Sequence, residues 1–130
     1  MILTEEAAEL LLRPDVLIYL ATTNADGSPH VAPLWADVDR ERDLIVLNTA
    51  EGRRKVRNIR RDPRVMLSAH APEALWPALK VRGTVTDITT EGADAHIDAL
   101  CRRYTGQPWE PTEGEVRVRL LIAPEHVSMA

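Results

Sequence analysis

The sequence predicts a mainly β protein, a small antiparallel barrel with short flanking helices. Six β-branched and aliphatic segments recur along the chain, most of them separated by hairpin-length turns. Helical signals are confined to brief stretches at the start and at crossovers. The last apolar segment, Glu115 to Ile122, sets Val116, Val118, Leu120 and Ile122 against charges, as a strand with one wet face does. Hairpin-linked strands with crossover helices close most simply into a barrel.

Thr4 followed by Glu5 and Glu6 starts a helix, a hydroxyl cap with acids in the first turn. Leu10, Leu11 and Leu12 carry it to Arg13, and Pro14 ends it. Val16 to Thr23 is the first strand. Asn24-Ala-Asp-Gly27 is a turn, because Asp-Gly supplies left-handed backbone positions. Pro29 to Val38 is the second strand, with His30, Ala32, Leu34, Ala36 and Val38 on an inner face. Val31, Pro33, Trp35 and Asp37 form its other face, suited to a ligand wall or subunit contact. A charged loop, Asp39 to Asp43, leads into the third strand, Leu44 to Thr49.

The Ala50–Gly52 loop feeds a short helix, Arg53 to Arg61, with Val56 and Ile59 on its buried stripe. Asp62-Pro63 stops it and Arg64 to His70 is the fourth strand. A loop from Ala71 to Pro77 precedes the fifth strand, Leu79 to Thr86. A helix over Glu91 to Tyr104 presents Ala95, Ile97, Leu100 and Cys101 on its apolar side. Gly106 to Gly114 is a loop before the sixth strand.

The 130 residues predict one domain, 1–130, and 45% hydrophobic content provides a core. With no Phe, aliphatic side chains must fill that core. A single cysteine, Cys101, excludes an internal disulfide. The start, Met-Ile-Leu-Thr-Glu-Glu, lacks a basic segment followed by an apolar run. Val16 to Ala21, the longest uncharged apolar run, is too short to span a bilayer. Together these predict a cytoplasmic protein with no membrane partner. His30, His70, His96 and His126 have neither helical nor finger spacing, so no metal site is expected. The usual glycine-rich phosphate loops and nucleophile elbow are missing too.

Charge distribution is the strongest functional signal. Glu51 to Arg64 holds seven of the sixteen basic residues and two acids, within a chain of net charge −4. Arg54, Arg57 and Arg61 share a helix face, and the loop amides and helix N-terminus add positive field. Arg offers a forked grip, Lys55 a point charge and Thr49 a hydroxyl, as a phosphate site requires. A solvated basic helix has the same composition, and a nucleic-acid groove reader is the third reading. Net acidity and the lack of a helix-turn-helix pair weigh against nucleic acid. Trp35, Trp76 and Trp109 fit either flavin stacking or ordinary packing. His30 reads as a satisfied core histidine, Tyr104 as helix-end packing and Cys101 as an inert buried thiol.

Three segments carry a family resemblance. They are Leu20-Ala-Thr-Thr-Asn-Ala-Asp-Gly-Ser-Pro-His-Val-Ala-Pro-Leu-Trp35, Val46-Leu-Asn-Thr-Ala-Glu-Gly-Arg-Arg-Lys-Val-Arg-Asn-Ile-Arg-Arg-Asp-Pro-Arg-Val65 and Lys80-Val-Arg-Gly-Thr-Val85. In this order and spacing the chain resembles the pyridoxamine 5′-phosphate oxidase-like split-barrel flavoproteins, and within them the actinobacterial branch that uses the deazaflavin coenzyme F420. The resemblance implies a six-stranded antiparallel Greek-key split β-barrel that forms a homodimer with cofactor sites at the subunit interface. It places Ala32, Pro33, Leu34 and Trp35 along the tricyclic ring, and Asn48, Thr49, Arg54 and Lys55 at the phosphate. Arg53, Arg57 and Asn58 are further cofactor-binding candidates.

The chain has Ala78 where the vitamin B6 oxidases place a glutamine, and it ends soon after the sixth strand. Both features point away from vitamin B6 oxidation. A basic rim extending to Arg60 and Arg61 suits a cofactor with a polyglutamate tail. The resemblance therefore implies an F420-dependent oxidoreductase that passes a hydride to an unsaturated small molecule. An FMN-binding reductase or oxidase using the same pocket, or a cofactor carrier without turnover, are the alternatives; some members of the branch bind haem.

Overall fold

The computed structural model describes residues 1–130. It contains α1 (Glu5–Leu11), β1 (Ile18–Thr23), β2 (Pro29–Leu34), β3 (Ala36–Asp39), β4 (Leu44–Ala50), α2 (Arg54–Arg61), β5 (Arg64–Ala69), β6 (Leu79–Thr89), α3 (Ala93–Thr105) and β7 (Arg117–Met129). The strands form one antiparallel sheet in the order β2-β1-β5-β6-β7-β4-β3. Its two edges, β2 and β3, are separated in the chain by Trp35 alone. The sheet must therefore curl until its edges meet, which makes it a barrel split at that seam.

That seam corrects the expected strand count from six to seven. The continuous strand expected over Pro29 to Val38 changes partners at Trp35: Leu34 pairs with Ile18 on β1, and Ala36 pairs with Leu47 on β4. Tyr104, far along the chain, accepts a hydrogen bond from the Ala36 N–H at 3.2 Å and helps fix the break. The last strand is also longer than expected, running to Met129 rather than Ile122. Beyond Ile122 it pairs with β6 alone, and a register shift lies where Arg82 faces His126 and Gly83 faces Pro124. Proline is tolerated at such an irregularity because no regular ladder bond is lost.

Gly83 is needed there for space. A Cβ on it would lie 2.6 Å from the Ala123 carbonyl oxygen and 2.9 Å from Ile122 Cγ2. Gly83→Ala should therefore push β6 and β7 apart and destabilise the fold by about 1–3 kcal/mol, seen as a lower urea midpoint.

The barrel interior is aliphatic, as expected without Phe. Ile18, Leu20, Ile45, Leu47, Leu67, Leu79, Leu120 and Ile122 belong to one buried cluster, to which α1 adds Ala7 and Leu11 and α2 adds Val56 and Ile59. Thr4 caps α1, accepting a hydrogen bond from the Ala7 N–H at 3.1 Å. On the other face of the sheet, Ala93, Ile97, Leu100 and Cys101 of α3 are buried outside that cluster, as are Val46 and Leu121. His30 is half-buried, but its Nδ1 has no hydrogen-bond partner, so it is not the satisfied core histidine expected. No helix is long and apolar enough to cross a membrane.

Candidate functional site

The chain leaves β4 and enters α2 through Glu51 and Gly52, whose φ of 85° lies in the left-handed region open to glycine. Arg53 occupies the cap position with no side-chain cap bond, and no acid stands in the first turn. The amides of Arg54 and Lys55 have no intrahelical acceptor, as at any helix start. The N-terminus of α2 thus offers a positive field with no acid in its first turn and no side-chain cap.

Five of the seven clustered basic side chains are committed within the chain. Arg53 lies 3.6 Å from Glu115, Arg57 donates to the Gly52 carbonyl, and Arg60 pairs with Glu51. Arg61 donates to the Thr23 carbonyl at 2.7 Å and to Asn58 Oδ1 at 3.0 Å, while Arg64 pairs with Asp62 at 2.8 Å. Only Arg54 and Lys55 make no side-chain hydrogen bond or ion pair. The basic rim expected at Arg60 and Arg61 is accordingly weaker than its composition suggests.

Lys55 is the unusual member. It is only 9% exposed and no carboxylate pairs with it. Burial, reinforced by the nearby Arg53 and Arg117 charges, holds its amine below the ordinary lysine range. A buried cation without a counter-ion is costly, and an anion placed beside it removes that cost. Arg54 points elsewhere around the helix. With Arg57, Asn58 and Arg61 it lines a pocket of about 460 Å³ closed by Asn24, Ala25, Asp26 and Ser28 of the β1–β2 turn.

The other phosphate candidates divide. Thr49 is 4% exposed and its hydroxyl makes no side-chain hydrogen bond. Asn48 and Asn58 are engaged internally. Asn58 donates to Thr22 Oγ1 at 3.1 Å and Asn24 Oδ1 at 2.9 Å, bracing α2 against β1 and its turn. Asn48 donates to the Ala93 carbonyl at 2.9 Å and to His96 Nδ1 at 3.1 Å, and its Oδ1 accepts from Arg117 Nε at 3.0 Å.

Pro33, Leu34 and Trp35 come together. They line an apolar pocket of about 270 Å³ with Leu17, Ile97, Leu100 and Trp109, and Asn48 and Arg117 supply its polar groups. Ala32 does not line it. Trp35 stacks on Tyr104, centroids 5.2 Å apart and planes 7° from parallel. Burial pushes the Tyr104 hydroxyl above its usual range. The Asp37 carboxyl sits below its own: burial alone would raise it, but hydrogen bonds from His96 and the Val38 N–H, with Arg103 nearby, outweigh that.

Sequence reasoning missed Arg117 and His96 as site residues, and left Trp109 between flavin stacking and packing. Arg117 looked like the wet side of an alternating strand, yet its side chain is 10% exposed because α3 and the loop after it cover that face. The apolar stripe on the helix was the available signal, since it had to bury against some face of the sheet.

Residues 3–129 match the family model described as pyridoxamine 5′-phosphate oxidase. Among solved structures, an F420 reductase is 33% identical, with a TM-score of 0.82 over 92% of this chain and 94% of its own. A conserved hypothetical protein, Rv2991, from Mycobacterium tuberculosis is 26% identical, with a TM-score of 0.72 over 95% of this chain and 82% of its own. A FAD-binding protein from Mesorhizobium loti shares the fold at 21% identity, TM-score 0.67, over 96% of this chain and 92% of its own.

Proposed function

The chain belongs to the pyridoxamine 5′-phosphate oxidase family, and from that premise we propose that it is an F420-dependent oxidoreductase acting on an unsaturated small molecule. The observation that carries the reading is Lys55, a buried cation with no counter-ion beside an uncapped helix N-terminus. The similarity to an F420 reductase favours the deazaflavin over FMN. Lys55, the amides at the start of α2 and the Thr49 hydroxyl would hold the phosphate, with Arg54 adding its charge from the neighbouring face of the helix. Arg53, Arg57, Asn48 and Asn58 act one step back, fixing the loop, the helix and Arg117.

When bound, the reduced deazaflavin supplies the hydride. The protein's part is to bind, orient and exclude water. The ring would lie along Ala32 to Trp35, with the apolar pocket opening beside it for the acceptor. Trp35, held by its stack on Tyr104, forms a rigid wall of that pocket.

A homodimer is part of the proposal. Leu17, Tyr19, Val31 and Met66 are 42%, 49%, 59% and 47% exposed, and Tyr19, Val31 and Met66 lie on one outer face of β1, β2 and β5. Such a face on a small protein is a natural contact surface. Leu17 also lines the apolar pocket, so a second copy seated there would reach the pocket's edge.

The phosphate assignment sets a pH dependence. An anion favours protonated Lys55, so its bound-state pKa exceeds the lowered free-state one. Affinity is full below the free-state value and falls as pH rises through it toward the bound-state value. Titrations of F420 between about pH 7 and pH 10 should show this decline at lower pH than an ordinary lysine allows. Lys55→Met should show no such decline. Parallel FMN titrations test the alternative cofactor. Turnover with quinone, enone and nitro acceptors separates an enzyme from a carrier.

A further inference from the structure

We infer that the pocket between Trp35 and α3 binds an apolar small molecule bearing one carboxylate, and that Arg117 reads the carboxylate. The walls are apolar except for Asn48 and Arg117. Asn48 has no hydrogen left to give, since both amide protons are taken by the Ala93 carbonyl and His96 Nδ1. Arg117 is different. Its Nε donates to Asn48 Oδ1 at 3.0 Å and its Nη1 to Glu115 Oε1 at 3.0 Å, while Nη2 makes no hydrogen bond within the chain. The pocket is therefore lined by a guanidinium whose Nη2 has both N–H groups free, on a side chain that is nine-tenths buried.

Charge favours an acid over a neutral acceptor. Glu115 is shared between Arg117 at 3.0 Å and Arg53 at 3.6 Å, and Lys55 lies close enough for its charge to register against both arginines. The two arginines outnumber the one carboxylate that pairs with both, and Lys55 is left to the phosphate. Inside an apolar pocket a charge-assisted bond is stronger than in water.

A relay of hydrogen bonds fixes the aim of Arg117. Flipping the Asn48 amide would set N–H against Arg117 Nε–H and oxygen against the Ala93 carbonyl, so its orientation is determined. His96 Nδ1 must then accept, and His96 Nε2–H donates to Asp37 Oδ2 at 3.0 Å. Asp37 is held in turn by Arg103 at 3.1 Å and the Val38 N–H at 2.9 Å. Asn48 and His96 are positioning residues; of the three, only Arg117 donates to the carboxylate.

The inference rests on the oxidoreductase reading only in making the bound acid the substrate; the binding stands on the pocket. Its probes are 1-naphthoate and the equally sized, uncharged 1-naphthamide, titrated calorimetrically into the whole chain. Naphthoate should bind at least tenfold tighter to the unmodified protein. Arg117→Gln should erase that ratio while naphthamide affinity holds, and His96→Phe should narrow it without weakening naphthamide. Equal binding of the two probes to the unmodified protein overturns the inference without needing any variant to fold. So does a ratio that survives Arg117→Gln. F420 titrated into the same samples keeps the readings apart: lost F420 binding with the ratio intact rejects the cofactor alone.

Discussion

Lys55→Met should abolish tight cofactor binding while making the free protein more stable. The two effects share one cause. In the free chain the ammonium is buried beside Arg53 and Arg117 with no carboxylate to answer it. Replacing it with an unbranched apolar side chain removes a desolvation cost, and comparable replacements of buried ionic groups stabilise by on the order of 1 kcal/mol or more. Removing the charge also deletes a charge-assisted bond to the phosphate worth about 1.5–3 kcal/mol, roughly a tenfold to hundredfold loss of affinity. Adding Arg54→Gln should deepen the loss beyond about a hundredfold. Thermal unfolding and fluorescence titration on the same preparations check both signs. A lysine that merely solvates the surface would leave affinity unchanged.

Val31→Glu combined with Met66→Glu should convert a dimer into a monomer. The two residues flank Ala21, which pairs with Val31 on one side and Met66 on the other. Both face outward, so the substitutions should leave the barrel intact. Two like charges facing their copies in an apolar contact would be desolvated without partners, at a cost of several kcal/mol. Light scattering should give twice the 14.5 kDa chain mass for the unmodified protein and the chain mass for the variant. Cofactor affinity should fall with the mass if the partner completes the site. A variant that stays dimeric would place the contact on another face.

Where the signal was local, the sequence was readable. Asp26-Gly27 marks its turn because Gly27 adopts a φ of 86°, and Thr4 caps α1 from its expected position. The α2 segment announced itself by charge, and its first turn holds no acid. What could not be read depended on distant partners. The break at Trp35 is tied to Tyr104, whose hydroxyl takes the Ala36 N–H, a contact 68 residues apart. Pro124 resembles a strand terminator until Gly83 is seen facing it at a register shift. Composition likewise weighted every arginine of the cluster equally. Glu51, Asp62 and Glu115 pair with three of them and backbone carbonyls hold Arg57 and Arg61, leaving Arg54 and Lys55 without partners.

A crystal structure grown with F420 would locate the anion outright. The phosphate should lie within hydrogen-bond reach of Lys55 Nζ and the first amides of α2, with the ring against Pro33 and Trp35. Density for the cofactor elsewhere, with no anion beside Lys55, would contradict the assignment.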